Sequence, residues 1–148
     1  MIKEERLNMS DEVTIAEYRA LAEVRYHIRR FLRISEQGVR AVDLEPQQYQ
    51  LLVAVKGMPE GWDVTIRNLA DRLQLHHHST SELVDRLERR GMIQRHRDEV
   101  DRRRVFVLLA PRGEEGLEKL APLSRAELQA AEPALALALH ALISARNN

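Results

Sequence analysis

Between Arg86 and Arg104 the sequence sets eight arginines (Arg86, Arg89, Arg90, Arg95, Arg97, Arg102, Arg103 and Arg104) against four carboxylates, with His96 among them. A guanidinium is planar, permanently charged and forked like a phosphate, so this excess is the chemistry of a polyanion-binding face. The same residues also suit a solvated helix face laced with internal salt bridges, and charge alone leaves both readings open. The bias is local. The 148-residue chain balances 23 basic against 23 acidic side chains, whereas residues 64–110 carry ten basic and seven acidic, a net +3. The flanks are net −2 over residues 1–63 and net −1 over 111–148.

The run His76-His77-His78 invites a metal, but consecutive helical residues point about 100° apart and cannot all reach one ion. No cysteine and no His-x-x-x-His pair supports a zinc site, so no metal and no cofactor is expected. Imidazoles near phosphates at a helix N-terminus, protonated on binding, are the better physical fit. The absence of cysteine also excludes disulfides, thiolate catalysis and thiol redox sensing. There is no P-loop, Gly-x-Gly-x-x-Gly, His-Glu-x-x-His or Gly-x-Ser-x-Gly, so the chain is read as not an enzyme. No apolar run spans a bilayer and Met1–Met9 is charged where a signal peptide is apolar, so a cytoplasmic protein without a membrane partner is expected.

Several elements must position these groups. Thr14 and Glu17 form a capping box ahead of a long first helix with Ile15, Tyr18, Leu21, Val24, Ile28, Phe31 and Leu32 at helical spacing. Glu45-Pro46 with Gln48 opens a second helix, with Tyr49, Leu52, Val53 and, as a further candidate, Val55 inward and Gly57 as its stop. Thr65 caps a short third helix with Ile66, Leu69, Ala70 and Leu73 inward, and Gln74-Leu75 separates it from a fourth that ends at Gly91. The pair is a helix-turn-helix. Runs 92–97 and 104–109 read as a hairpin with a charged tip over 98–103, and Val105, Val107 and Leu109 share one side. The leucine-rich tail is helical, with bends expected at Pro122 and Pro133. The fold class is therefore mainly α, a winged helix-turn-helix (45–110) with a small β-hairpin wing between long terminal helices (14–36 and 111–146), all in a single domain.

On the fourth helix Thr80, Leu83, Val84 and Leu87 form one stripe that must face the core, which leaves His78, Ser81, Glu82, Asp85 and Arg89 opposite. A recognition helix presents its N-terminal side chains to base edges, so His78, Ser81 and Glu82, with His77 at the margin, are placed to specify sequence. For Glu82 and Asp85, salt bridging to Arg86 and Arg89 at i,i+4 competes with base contact and is favoured, which makes those arginines phosphate clamps. The terminal helices carry more apolar surface than a small winged helix can cover. A two-fold dimer through them is the economical solution, and it suits a reader of palindromic double-stranded DNA.

The stretch from Thr65 to Gly113 resembles the winged helix of the multiple antibiotic resistance regulator (MarR) family. The residues that carry it are Leu69-Ala70-Asp71-Arg72-Leu73, Leu83-Val84-Asp85-Arg86-Leu87-Glu88-Arg89-Arg90-Gly91, and Asp101-Arg102-Arg103-Arg104 followed by 105–109. The resemblance implies a homodimeric transcriptional regulator, usually a repressor, that binds a palindromic operator and releases it on binding a small aromatic or phenolic ligand. The residues expected to contact DNA are His76, His77, His78, Ser79, Ser81, Glu82, Arg86, Arg89, Arg95, Asp101, Arg102 and Arg103, and the resemblance implies that Asp101 orients Arg103 into the minor groove. For the ligand it offers Tyr18, Tyr26, His27, Arg30 and Trp62. Three positions depart from the family pattern: Gln74 stands where a turn glycine is common, His76-His77-His78-Ser79 replaces the usual start of the recognition helix, and Ala110 replaces a capping threonine. A zinc-responsive regulator using His27, His140 or the histidine run, and a winged helix that contacts only proteins, are the alternatives.

Overall fold

The computed structural model describes residues 12–144, so Met1–Met9 and the last two residues of the expected tail helix lie outside the described residues. The elements run α1 (Ile15–Ala41), α2 (Pro46–Lys56), α3 (Ile66–Leu73), α4 (His77–Arg89), β1 (Ile93–Arg97), β2 (Val105–Leu109) and α5 (Pro111–Ser144). The mainly α winged helix-turn-helix is the observed fold.

Contacts divide the chain into two compact units, one within Ile34–Arg125 and the other drawn from Met1–Arg33 and Ala126–Asn148, described over 12–33 and 126–144. The first holds the core. Val39, Leu51, Leu52, Leu69, Val84, Leu87, Ile93 and Val107 are fully buried there, so every element from the end of α1 to β2 contributes. Helix α2 buries Tyr49, Leu51, Leu52 and Val55 on several sides and leaves Val53 43% exposed, which corrects the expected inward set. A helix wrapped by neighbours has no single apolar stripe, and periodicity then misplaces residues.

Polar groups inside this unit are satisfied. Gln48, 4% exposed, accepts at Oε1 from the Glu45 backbone N–H at 3.1 Å and from Arg90 Nη1 at 2.9 Å, which joins the start of α2 to the end of α4. Thr80 is fully buried and donates its hydroxyl to the His76 carbonyl at 3.0 Å. The hairpin pairs Ile93 with Leu109, Arg95 with Val107 and Arg97 with Val105. Val107 N–H donates to the Val64 carbonyl at 2.8 Å beside a bridge between Thr65 and Phe106, so the segment before α3 supports the wing. Gly113, on the first turn of α5, lies against the Met92 carbonyl: a Cβ there would sit 2.2 Å from that oxygen.

In the second unit, Thr14 and Glu17 form the expected capping box, with each side chain accepting the other's backbone N–H at 2.6 and 3.2 Å. Helix α1 continues to Ala41, beyond the expected end at 36. Helix α5 runs unbroken through Pro122 and Pro133. Each proline leaves one carbonyl without an intrahelical partner, but both lie on exposed positions where water replaces the bond, among strong helix formers. Among the described residues of this unit only Ala20 and Ala138 are buried, while Ile15, Tyr18, Ile28, Leu137 and Ile143 are exposed.

Candidate nucleic-acid interface

Helix α3 begins where the Thr65 hydroxyl accepts the Asn68 N–H at 3.2 Å, and it ends at Gln74, whose φ of 53° is left-handed. A glycine takes that conformation freely; here a glutamine does so at a cost of about 1–2 kcal/mol. Gln74 Nε2 donates to the Asp71 carbonyl at 2.7 Å and Leu75 N–H to the Ala70 carbonyl at 3.0 Å, so the turn is held by its own hydrogen bonds. The missing glycine therefore leaves the helix-turn-helix intact.

Helix α4 buries Thr80, Leu83, Val84 and Leu87 as its stripe requires. His77, His78, Ser79, Glu82, Arg86 and Arg89 are exposed, as is the N-cap His76, and Ser81 is half-buried. The expected pairs Glu82–Arg86 and Asp85–Arg89 do not form. Glu82 Oε1 instead meets His78 Nε2 at 3.2 Å, one turn toward the N-terminus. Asp85 pairs with Arg95 of β1, whose guanidinium also lies 3.6 Å from Glu88 and donates to the Ser81 carbonyl at 3.3 Å. The Arg95 backbone N–H donates to Glu88 as well, at 3.1 Å. The physical reason is tertiary: β1 runs beside α4 and brings a forked cation between two carboxylates spaced one turn apart. Arg95, one of the residues expected to contact DNA, is thus engaged within the protein, whereas Arg86 and Arg89 form no ion pair among the described residues.

At the wing tip, Asp101 Oδ1 accepts the Arg103 N–H at 3.1 Å and lies 3.8 Å from Arg103 Nε, while the Arg103 side chain is 96% exposed. Asp98 accepts from Val100 N–H at 3.0 Å and donates its own N–H to the Arg104 carbonyl at 2.9 Å, which closes the turn. Arg104 behaves differently from its neighbour: it is bonded to Asp63 and stacks 5.3 Å from the Phe106 centroid. The turn leaves Arg102 and Arg103 to solvent, while Asp63 and the Phe106 ring hold Arg104, just before β2, against the lobe.

Between the wing and the helix-turn-helix lies a cleft of about 790 Å³ with Trp62, Arg67, His77, Arg103 and Arg104 among its walls. Sequence reasoning did not bring these residues together; the exposed Trp62 and the unpaired Arg67 were its available signals. Of the five residues put forward for a ligand, Trp62 lines this cleft, and His27 and Arg30 line a cavity of about 100 Å³ with Phe31 and Glu127. Tyr18 and Tyr26 on α1 are exposed. Among the described residues, no three histidine or carboxylate side chains converge on a metal position, and no helix is long and apolar enough to cross a membrane.

A helix-turn-helix whose second helix presents an exposed polar N-terminal face, followed by a wing with a free arginine at its tip, defines the class: a winged helix-turn-helix, DNA-binding transcription regulator. The comparisons make this more particular. Residues 42–104 match the model of the MarR family. An uncharacterised HTH-type transcriptional regulator, YsmB of Bacillus subtilis (strain 168), is 27% identical over 104 residues, which cover 68% of this chain and 69% of the relative. The structure of a MarR family protein from Bacillus stearothermophilus matches with a TM-score of 0.63 at 27% identity, over 77% of this chain and 76% of that one. The S. aureus MepR–DNA complex shares the fold, with a TM-score of 0.60 at 22% identity over 80% and 82% of the two chains.

Proposed function

We propose that the protein is a homodimeric repressor that binds a palindromic operator in cytoplasmic DNA and leaves it when a small aromatic or phenolic effector binds. One observation carries the DNA reading: His77, on the exposed N-terminal face of α4, and the exposed Arg103 of the wing line one cleft of the same lobe. That is the arrangement needed to address a major groove and its adjacent minor groove together. The MepR neighbour, solved on DNA, supports it by likeness of fold.

The dimer reading rests on the terminal helices. Ile15, Leu137 and Ile143 are 66, 74 and 65% exposed in a unit that buries almost nothing of its own, and an apolar surface of that kind is covered by a second copy. The effector follows from the resemblance alone.

Selection of bound fragments from genomic DNA, followed by titration of the recovered duplex, tests the reading. A pseudo-palindrome with half-site centres roughly 10 base pairs apart is expected, with affinity that falls steeply with salt. Equal affinity for every sequence, or no affinity for duplex at all, refutes it, and the latter outcome favours a winged helix used for protein contacts.

A further inference from the structure

The contacts above leave the floor of the cleft between the wing and α4 without an occupant. Its walls are His77 at the start of α4 on one side and Arg103 and Arg104 of the wing on the other, with Trp62 and Arg67 contributed by the segment that leads into α3 and by α3 itself. Trp62, Arg67, His77, Arg103 and Arg104 are all exposed, so the cleft is an open trough. A small-molecule site buries most of its ligand's surface, which an open trough does not.

Two of its residues have no structural occupation. Trp62, the single tryptophan of the chain, is 51% exposed at the end of a turn in which Gly61 takes a φ of 82° and Trp62 N–H donates to the Pro59 carbonyl at 3.1 Å. Arg67 forms no ion pair among the described residues. Their neighbours are committed: Asn68 donates its side-chain amide to the Asp63 carbonyl at 2.7 Å, and Arg104 is bonded to the Asp63 carboxylate. Asp71 also lines the trough, and of its three arginines Arg103 and Arg104 are paired with Asp101 and Asp63, so Arg67 is the cation left to meet an anionic occupant.

Duplex geometry says which anion. The major groove and the neighbouring minor groove are separated by one sugar–phosphate strand. A lobe that puts α4 into the first and Arg103 into the second must therefore straddle that strand, and the trough lies between those two elements. Accordingly, and resting on the DNA-binding reading above, we propose that this trough seats the intervening sugar–phosphate strand, with Arg67 on a phosphate and the Trp62 indole against a deoxyribose. A phosphate contact holds register without reading sequence, so Arg67 and Trp62 set affinity and alignment while α4 sets specificity.

The test uses the full chain, a labelled operator duplex, an unrelated duplex and several salt concentrations. Anisotropy of the labelled duplex reports binding and Trp62 emission reports the trough. No binding of either duplex by the unsubstituted protein refutes the DNA reading itself. Given binding, Trp62 emission changes with the same midpoint as the anisotropy. Arg67→Gln weakens both duplexes by a similar factor, about five- to tenfold near 0.1 M salt, and lowers the slope of log affinity against log salt by about one. Trp62→Ala weakens both without changing that slope. Unaltered thermal melting of the two variants shows that the fold is retained. The proposal is overturned by emission that stays flat through saturation, by an unchanged slope in Arg67→Gln, or by a loss confined to the operator. It is equally overturned if benzoate saturates the Trp62 signal and DNA does not.

Discussion

Arg95 offers the sharpest separation of a structural arginine from a DNA-contacting one. Its guanidinium lies between Asp85 and Glu88 and reaches the Ser81 carbonyl, so replacement by glutamine removes two ion pairs and a charge-assisted hydrogen bond. The Arg95 side chain is 28% exposed and its two carboxylates are 40 and 41% exposed, which places the pairs between the buried and the fully solvated case. Each pair then contributes about 0.5–1 kcal/mol, and the carboxylates left one turn apart repel by a few tenths more, for a loss of about 1–2 kcal/mol. For a chain of this length that lowers the melting temperature by roughly 3–8 °C at matched protein concentration. Operator affinity falls by a factor that is the same at every salt concentration, because no phosphate contact is lost. Arg89→Gln, at an exposed and unpaired position, does the converse: melting is unchanged and the salt slope drops by about one. Scanning calorimetry and duplex titrations in 50 to about 300 mM salt measure both quantities. If Arg95→Gln melts normally and loses one unit of slope, Arg95 is a phosphate contact and the clamp argument is wrong.

Three further outcomes follow from named contacts. Gly113→Ala should destabilise by about 2 kcal/mol despite the better helix propensity of alanine, because its Cβ meets the Met92 carbonyl at 2.2 Å; a melting temperature at or above that of the parent would show that β1 yields at no cost. Arg103→Ala should cost about tenfold more operator affinity than Arg102→Ala, and Asp101→Asn should weaken binding although it removes a negative charge, since the carboxylate holds the Arg103 guanidinium before DNA arrives; tighter binding by Asp101→Asn would refute this. Leu137→Glu combined with Ile143→Glu should convert a dimer to a monomer by light scattering and reduce operator affinity, and a dimer that persists would place the interface elsewhere.

Local signals in this chain are strong where the cause is local. The capping box of Thr14 and Glu17, the Glu45-Pro46 start of α2, the Thr65 cap, the buried stripe of α4 and the alternating β2 each depend on residues within about one turn or one strand, so their spacing could be read directly. The Arg/Asp wing pair came from the family resemblance, and the structure brings its two members, two residues apart, within 3.8 Å. What required the tertiary structure were partnerships across long separations. Asp85 and Glu88 turn to Arg95 because a strand passes beside their helix; Arg104 turns to Asp63, 41 residues earlier; and Val53 faces solvent because α2 is surrounded unevenly. Pro122 and Pro133 continue a helix because both are exposed to water, which spacing does not reveal. Gly113 looks like a helix-breaking residue in sequence and proves to be the place where α5 touches the backbone of Met92. The sequence by itself determined the helices, the turn and the arginine-rich wing, since propensity, capping and charge act over a few residues. Only the folded chain decided which of those arginines remain free for DNA, because that depends on which carboxylate packing brings within reach.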